Sequence, residues 1–308
     1  MKNLPWLLVA SLAAGVAGAQ NYPAKPIRIV VTSFGSGPDL MARLVGQRLT
    51  EAWGQQVIVD ARVGATGRIA AEHVARSAAD GYTLMMVTSQ FAIGSALYDK
   101  LTYDPIRDFA PVALMASTPF VLVVHPSVPA KSVNELVALA RARPGQLQGG
   151  TSGAGSPAGL ALQRLKSMTG VSISDIPFKT IVQAYTDTAA GQIHLTFTVV
   201  PAVLPAVRSG RLRGLAVTSP KRTPLAPELP TIADTLPGYE VIGWYGLVAP
   251  ARTPAEIVAK LNAEIGKAMR STEVQERLVS LGADLAAPAT PPEFGSYLAA
   301  QIEHCLLY

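Results

Sequence analysis

The sequence predicts an α/β protein of two doubly wound domains, joined by two crossover segments, with a ligand cleft between them. Apolar β-branched segments alternate with segments of helical period, which is typical of parallel strands connected by helices on both faces of a sheet. Two glycine-rich segments, beginning at Thr32 and Thr151, each run from small residues straight into a helical apolar pattern. About 290 residues remain after a predicted N-terminal cleavage, a length that suits two domains better than one small core.

In the first third of the chain, apolar β-branched runs predict strands, and the segments after glycine-containing loops predict helices. In the loop that begins at Thr32, Pro38 suits the first turn of the helix that follows. A second loop, 62–67, opens a helix that extends to Ser77. The predicted strands are 27–31, 56–60 and 83–87, and the first predicted helix is 38–52.

The rest of the chain continues this alternation. Ser132 and Glu135 have the spacing of a capping box, and the second glycine loop opens the next helix. The predicted strands are 120–124, 173–176, 195–199 and 212–218, and a proline-dense stretch then leads to the segment 241–250. The other predicted helices are 132–142, one that ends at Ala190, 253–269, 272–281 and 292–302. We interpret residues 123–242 as a second domain, inserted into a discontinuous first domain of residues 20–122 and 243–308. The chain then crosses between the domains near 121–124 and 243–247.

The first 19 residues predict a secretory signal peptide. Lys2 supplies a positive start, residues 4–16 are apolar, and Ala17-Gly-Ala19 is a small-residue cleavage site. No cysteine lies at the cleavage point, so a lipoprotein anchor is not expected. A retained N-terminal anchor is the alternative interpretation. The segment is too short to be favoured as a membrane span.

Composition excludes several classes of function. The net charge is +5, but lysine and arginine are scattered without the clustered cations and aromatics of a nucleic-acid site. This mild basicity would steer anionic solutes toward the protein. Cys305 is the only cysteine, which excludes an internal disulfide and a cysteine cluster for zinc or iron–sulfur. No His, Asp or Glu group has metal-ligand spacing, so we expect neither a metal nor a cofactor.

The two glycine loops indicate anion binding. A helix that begins directly after small residues presents N–H groups without intrahelical partners, and the helix dipole adds positive potential there. Glycine also lets the backbone approach a ligand closely. Two such helix starts that face each other across a cleft suit the holding of a small carboxylate more than its chemical transformation.

Several motifs resemble those of the extracytoplasmic solute receptors of tripartite tricarboxylate transporters, the Bug family. They are Tyr22-Pro-x-Lys-Pro-Ile, Asp80-Gly-Tyr-Thr-Leu, Tyr103-Asp-Pro-x-x-Asp-Phe-x-Pro-Val112, His125-Pro-Ser-x-Pro-Ala-Lys-Ser-Val133, Gly210-Arg-Leu-Arg-Gly-Leu-Ala-Val-Thr-Ser219, Leu229-Pro-Thr231 and Pro237-Gly-Tyr-Glu240. The resemblance covers nearly the whole mature chain. It implies a two-lobed periplasmic binding protein of type II-like fold, which captures a di- or tricarboxylate, an aromatic acid or an acidic amino acid. The resemblance further implies a monomer that delivers this ligand to the membrane permease subunits of the transporter.

The chain departs from the family pattern at four places. The first glycine loop is one residue shorter than the family's usual loop, and a Pro-Tyr-Lys-Gly turn is replaced by Pro177-Phe-Lys-Thr180. Thr198 stands where an acidic residue is common. The chain ends at His304-Cys-Leu-Leu-Tyr308, where the family usually continues as a helix. These departures bear on which ligand is bound more than on the class of protein.

The family holds carboxylates through backbone amides, small hydroxyls and waters at the loops between the domains. Carried over to this chain, the candidate ligand-binding residues are Ser33, Phe34, Gly35, Ser36, Gly37, Asp39, Thr66, Gly67, Gln90, Thr151, Ser152, Gly153, Ala154, Gly155, Ser156, Phe178, Lys179, Thr180 and Thr198.

Structural roles compete with ligand contact at several of these positions. Asp39 also fits a capping box with Ser36 in the first helical turn, and the other hydroxyls are common turn residues. For Lys179, a solvated side chain is favoured over contact with a ligand carboxylate. Trp244 and Tyr245, which are not among the candidates, either wall the cleft or pack the crossover, and packing is the favoured role.

Enzyme functions are the main alternative. Gly150-Thr-Ser152-Gly-Ala154 approaches a hydrolase elbow but lacks the final glycine. The segment 153–158 matches a loose dinucleotide fingerprint, with only Asp175 near the place of a ribose-binding acid. The chain therefore predicts a binding protein, with a secreted dinucleotide-using or hydrolytic enzyme as the alternative. A receptor that serves signalling instead of transport would have the same binding chemistry.

Overall fold

A single mixed β-sheet runs through the protein, and helices cover both of its faces. The computed structural model describes residues 22–97, 100–153, 155–287 and 289–306. Its strands are β1 Ile27–Val31, β2 Val57–Ala61, β3 Thr83–Thr88, β4 Phe109–Val124, β5 Gln148–Thr151, β6 Ser174–Pro177, β7 Leu195–Val199, β8 Arg213–Val217, β9 Ile242–Pro250 and β10 Asp284–Leu285. Its helices are α1 Gly37–Trp53, α2 Arg68–Ala75, α3 Ser89–Leu97, α4 Val133–Ala142, α5 Pro157–Thr169, α6 Ile181–Ala189, α7 Val200–Arg208, α8 Ala255–Met269, α9 Thr272–Leu281 and α10 Pro291–Leu306.

The sheet has two halves that share the long strand β4. The strand order is β2-β1-β3-β9-β4-β7-β5-β6, and β8 and β10 also pair with β4. Residues 109–119 of β4 pair with β9, whereas residues 120–124 pair with β7. The change of partner at Pro119 and Phe120 therefore divides the sheet into a first half, β2-β1-β3-β9-β4, and a second half, β4-β7-β5-β6.

The predicted parallel pairing is confirmed only in part. β1 is parallel to β2 and β3, and β5 is parallel to β6 and β7. Strand β9 is antiparallel to both β3 and β4, and β4 is also antiparallel to β7, β8 and β10. The reason is topological: β4 carries the chain out of the first half and β9 carries it back, so the two strands run in opposite directions.

Alternation along the strands separates a core on each face of the first half. Ile29 faces α1 and α8, where it joins Met41 and Leu261 in one buried cluster. Its neighbour Val30 faces the other side, in a cluster that includes Phe294 of α10. The second half repeats this arrangement, with one apolar cluster under α4 and α5 and another under α7. These covered faces leave the ends of the strands as the accessible part of each half.

Several elements were missed by the sequence prediction, and four of them have a local reason. Helix α7 contains Pro205 in its interior and a proline in its first turn, and proline is read as a helix breaker. Helix α3 lacks an amphipathic pattern. Strand β5 contains Gly149 and Gly150, against which Leu162 and Ile193 pack so closely that a Cβ would collide with them. The first eleven residues of β4 include Pro111 and register shifts that hide the alternation.

The predicted capping box at Ser132 forms with one change of partner. The Ser132 hydroxyl accepts a hydrogen bond from the Glu135 N–H at 3.2 Å. The Glu135 carboxylate, however, accepts from the N–H of Lys131 at 2.8 Å, one residue before the expected donor. The helix start is therefore capped by both side chains, as the pattern predicts, although not in the standard reciprocal pairing.

The predicted signal peptide, residues 1–19, lies outside the described residues. In the divergent C-terminal segment, α10 continues to Leu306, and the last two residues lie outside the described part. In the part of the chain that the structure describes, no helix has both the length and the apolar character to cross a bilayer. The same part contains no group of three or more His, Cys, Asp or Glu residues placed to hold a metal ion.

The close packing around Gly246 on β9 leads to a first prediction. A Cβ on Gly246 would overlap the ring of Phe294, which is fully buried and packs edge-on against Trp244. We expect Gly246→Ala to lower the free energy of unfolding by about 1–3 kcal/mol, because the ring has no room to withdraw. Urea denaturation measures the change.

Gly266→Ala on α8 is the matched control. A Cβ there would meet only the guanidinium end of Arg270, at 3.4 Å, and alanine favours a helix interior by roughly 0.5–1 kcal/mol. We expect this variant to be as stable as the parent protein or more stable. Equal unfolding midpoints for the two variants would contradict the packing argument.

Candidate ligand-binding site

A cavity of about 250 Å³ lies between the two halves of the sheet, at the carboxyl ends of β3 and β7. Ligand sites in α/β sheets form at this edge, and a volume of this size suits a small ligand. The first half contributes Pro38, Thr88, Ser89, Gln90, Thr118, Gly243, Trp244 and Tyr245 to its wall. The second half contributes Phe120, Ser152, Pro157, Ala158, Ile181, Phe197, Thr198 and Val199.

Five helices begin at this cavity. The first or second residue of α1, α3, α5 and α6 belongs to the wall, and Val199 is the N-cap of α7. Each helix start carries the equivalent of about half a positive charge and N–H groups that have no intrahelical partner. Among the lining residues that the structure describes, none is charged. The positive potential of this site therefore comes from the backbone.

Thr198 supplies a buried hydroxyl at the end of β7. The residue is 1% exposed, and its hydroxyl has no hydrogen-bond partner among the described residues. The nearby Thr196 hydroxyl, in contrast, donates to the Gly150 carbonyl at 2.7 Å. Because an unpaired buried polar group is unfavourable, the Thr198 hydroxyl has hydrogen-bonding capacity left for a ligand. The Trp244 indole N–H, at the same wall, is also without a partner among the described residues.

Tyr245 connects the crossing strand β9 to the start of α1. A Cβ on Gly37 would lie 2.5 Å from the Tyr245 hydroxyl oxygen, so the phenol occupies the space that only a glycine leaves at this helix start. Burial raises the pKa of Tyr245, and an interaction with the Thr118 side chain opposes that rise. The phenol thus stays neutral at ordinary pH and contributes a polar but uncharged edge to the cavity wall.

The first glycine loop is stabilised by hydrogen bonds that its own side chains make. The Ser33 and Ser36 hydroxyls are 2.6 Å apart, and the buried Asp39 carboxylate accepts from the Gly35 N–H at 3.0 Å. Gly35 has a φ of 66°, which turns its N–H toward that carboxylate. Ser36 is the N-cap residue, but its side chain makes no capping bond. The predicted Ser36–Asp39 capping box is therefore wrong.

Asp39 is also neutralised by a neighbour on α1. Its carboxylate forms an ion pair with Arg43, with an oxygen–nitrogen distance of 3.1 Å. The same guanidinium lies 5.7 Å from the centre of the Phe34 ring, which is 75% exposed. Asp39, Phe34 and Arg43 form a local group beside the cavity, and none of them belongs to its wall.

In the second glycine loop, two hydroxyl groups make hydrogen bonds with other groups of the protein. Thr151 donates to the Asp175 carboxylate at 2.8 Å, and its oxygen accepts from the Gly153 N–H at 3.2 Å. Ser156 caps α5 by accepting from the Gly159 N–H at 3.1 Å. The Ser152 side chain is exposed and lines the cavity. The loop therefore leaves Ser152 as its hydroxyl at the cavity wall.

Three predicted site residues meet at the cavity wall, namely Gln90, Ser152 and Thr198. Gly67 lies with Gln90 at a smaller adjoining cavity of about 10 Å³. Lys179 and Thr180 are exposed, and the Thr180 hydroxyl accepts from the Gln183 N–H at 3.3 Å as the cap of α6. Ala154 and the Thr66 side chain lie outside the described part of the structure.

The other predicted site residues do not belong to the wall of the cavity. Their backbones or side chains take part in the two glycine loops or in the turn after β6, where the Phe178 N–H donates to the Thr151 carbonyl at 2.8 Å. They are Ser33, Phe34, Gly35, Ser36, Gly37, Asp39, Thr151, Gly153, Gly155, Ser156 and Phe178.

Several residues of the cavity wall were not predicted from the sequence. Thr88 and Ser89 end β3 and begin α3, and the rule that ligands bind at carboxyl ends of strands was a signal that pointed to them. Phe120 and Phe197 carry no motif, because the pairing of β4 with β7 brings them to the cavity. Trp244 combines both of its predicted roles: it lines the cavity and also packs edge-on against Phe294 and Tyr297.

No histidine is arranged to activate Ser152 in the described residues. The His125 ring nitrogen Nδ1 is 2.7 Å from the Ser127 hydroxyl, and Nδ1 of His194 accepts from the Gln148 N–H at 3.1 Å. His73 lies on α2 in the other half of the protein. A nucleophilic serine needs a base within hydrogen-bond reach, so these contacts do not support a serine hydrolase.

Two halves of an α/β sheet, joined by antiparallel strands and enclosing a cavity at their carboxyl ends, define a two-lobed solute-binding protein. The chain belongs to the tripartite tricarboxylate transporter receptor family, whose model matches residues 41–292. This family consists of solute-binding receptors.

Relatives cover almost the whole chain. BugT of Bordetella pertussis is 35% identical over 302 residues, which are 97% of this chain and 92% of BugT. A structure of R. palustris Rpa4515 with adipate is 37% identical, covers 92% of this chain and 95% of its own, and has a TM-score of 0.78. A structure of MatC of Rhodopseudomonas palustris with bound malate is 30% identical, covers 92% of this chain and 99% of its own, and has a TM-score of 0.77.

The contrast between two threonines of β7 makes a second prediction. Thr198→Val removes a hydroxyl that has no partner, so we expect the free energy of unfolding of the ligand-free protein to stay equal or rise by about 1 kcal/mol. Thr196→Val removes the bond to the Gly150 carbonyl and should cost about 1–2 kcal/mol. Thermal unfolding of the two variants measures the difference. A larger loss for Thr198→Val would show that its hydroxyl is bonded within the protein.

Proposed function

We propose that this chain is a periplasmic receptor, which captures a small carboxylate and delivers it to the membrane permease of a tripartite tricarboxylate-type transporter. The convergence of five helix starts on one cavity, whose described lining residues are all uncharged, carries the proposal. Such a site favours an anion through backbone donors and helix dipoles. The adipate and malate in the two related structures support the same class of ligand.

The ligand carboxylates would sit at the starts of α1 and α5, with hydrogen bonds from Ser152 and Thr198. Each helix start contributes about 0.3–1 kcal/mol, or up to about 2 kcal/mol when partly buried. Hydrogen bonds to a charged group add roughly 1.5–3 kcal/mol each. After the ligand's loss of freedom is subtracted, a dissociation constant of about 1 μM is reasonable, which corresponds to about −8 kcal/mol.

Binding and release would follow from hinge bending between two domains, residues 20–122 with 243–308 and residues 123–242. Among the described strands, β4 pairs with both halves, and the chain returns to the first half where β9 begins. Bending at 121–124 and 243–247 would therefore close the cavity while each half stays rigid. Closure excludes water and strengthens the hydrogen bonds to the ligand. The protein would act as a monomer and release its ligand unchanged, without catalysis.

Substitution of Ser152 tests the site. We expect Ser152→Ala to weaken the binding of adipate or malate by about tenfold, because one charge-assisted hydrogen bond is lost. The stability of the fold should not change, since the side chain is exposed and makes no hydrogen bond with another described residue. Titration calorimetry gives the affinity, and Ser280→Ala on the surface of α9 is the control. An unchanged affinity would remove Ser152 from the site.

Small-angle X-ray scattering tests the closure. We expect the radius of gyration to decrease when the protein is saturated with a carboxylate that binds tightly, because the two halves move together. The uncharged diamide of the same acid is the control and should leave the scattering curve unaltered. A saturating carboxylate that produced no compaction would exclude the hinge mechanism, although binding itself would stand.

A further inference from the structure

A second cavity of about 250 Å³ lies on the first half of the sheet, and it shares no described lining residue with the cavity between the halves. It is a groove between helix α8 and strand β4, and the chain at and after β10 forms its rim. We call it the α8 groove, and its principal residues are Met115 of β4, Ile265, Gly266 and Met269 of α8, Arg270 directly after α8, and Leu285 of β10.

The floor of the α8 groove is apolar and adaptable. Met115, Ile265 and Met269 are only 1–2% exposed, whereas Leu285 at the rim is 38% exposed. Methionine side chains are flexible and polarisable, so they adjust to the shape of an apolar group. Because a helix rises about 1.5 Å per residue, the eight steps from Asn262 to Arg270 make the groove about 12 Å long. A groove of this shape suits an extended aliphatic chain.

Arg270 is the only charged residue among the described residues that line the groove. Its guanidinium lies over Gly266, where a Cβ would be 3.4 Å from the Nη1 atom. This guanidinium makes no hydrogen bond or ion pair with another described residue. Two acids nearby along the chain are already engaged: Glu264 pairs with Lys267 at 3.1 Å, and the Asp284 carboxylate accepts from a threonine hydroxyl at 3.0 Å. The groove therefore has an uncompensated positive charge.

The position of this guanidinium decides how the groove would hold a charge. The carboxyl-terminal end of α8 carries the negative end of the helix dipole, which by itself disfavours an anion. Arg270 therefore has to supply the attraction. At the other end of the groove, the Asn262 amide donates to the Val112 and Ala289 carbonyls at 2.8 and 3.2 Å, so its N–H groups are already used. The groove thus offers one charged contact at one end and apolar contacts along its length.

We propose that the α8 groove binds a small amphipathic anion, with a carboxylate beside the Arg270 guanidinium and an unbranched aliphatic chain along Met115, Ile265 and Met269. Pockets for small molecules typically combine a mostly apolar wall with a few polar groups that fix the orientation of the ligand. The proposal does not depend on the proposed receptor function. The two sites can be filled at the same time, because their described walls share no residue.

Methyl NMR with octanoate as the probe tests where the anion binds. In protein that is isotope-labelled at its methionine methyl groups, we expect the Met115 and Met269 signals to shift saturably, while the signal of Met168 on α5 stays unchanged. Octanoate should bind about tenfold more tightly than hexanoate, because two further CH₂ groups are buried. Octanol, which has the same chain without the charge, should bind about fivefold more weakly than octanoate.

Two variants of one helix end test the role of the charge. Arg270→Gln removes the cation of the groove, and Lys267→Gln removes an exposed cation of α8 that does not line it. We expect the octanoate affinity to fall about fivefold in the first variant, as for a partly exposed ion pair, and to stay unchanged in the second. Gly266→Leu fills the groove and should abolish both methyl shifts. If Gly266→Leu does not fold, the pair of glutamine variants decides.

Each outcome bears on the proposal. Saturable shifts of Met115 and Met269 that depend on Arg270 support it. Unchanged Met115 and Met269 signals at saturating octanoate overturn it, and so do equal affinities for octanoate and octanol or equal affinities in the two glutamine variants. Binding to phosphatidylglycerol vesicles without any response to octanoate would assign the groove to a membrane surface and would overturn it as well. The binding of adipate or malate, measured separately, tests the receptor function whatever octanoate does.

Discussion

The pairing of the sixteen-residue strand β4 with β9 on one side and β7 on the other is the constraint on which the rest of the structure depends. It joins the two halves of the sheet and sets Thr118 opposite Gly243, directly beside the cavity. A Cβ on Gly243 would lie 3.1 Å from the Phe120 ring and 3.3 Å from the Thr118 carbonyl, so these strands pack without spare room. Through this register the carboxyl ends of β3 and β7 face one space, and the helices that follow them begin there.

The site obtains its charge preference from backbone rather than from side chains. Backbone donors at helix starts are fixed by the fold, so they need little reorganisation when an anion arrives. The described side chains of the wall are uncharged and include both hydroxyl groups and apolar rings. Asp39 is the acidic residue of the first glycine loop, but it does not line the cavity. Its carboxylate instead stabilises the loop through the Gly35 N–H and the Arg43 guanidinium.

Local features of this fold could be predicted from the sequence, and long-range features could not. The strand at Ile27–Val31 and the helix starts after the glycine loops follow from β-branched runs, glycine and proline, which act on neighbouring residues. Phe120, Phe197 and Tyr245 reach the cavity through strand register, which no short pattern encodes. Helix α7 was missed because Pro205 is tolerated inside it. The hydroxyls of Thr151 and Ser156 were predicted at a site loop, but only the structure shows the bonds that hold them there.

A crystal structure with a bound carboxylate is the measurement that tests the central claim most directly. The claim is that the helix starts around the cavity hold the anion. Carboxylate oxygens should lie about 2.7–3.1 Å from backbone N–H groups at the starts of α1 and α5. A carboxylate that was held instead by a lysine or arginine side chain, such as Lys179, or that bound outside this cavity, would contradict it.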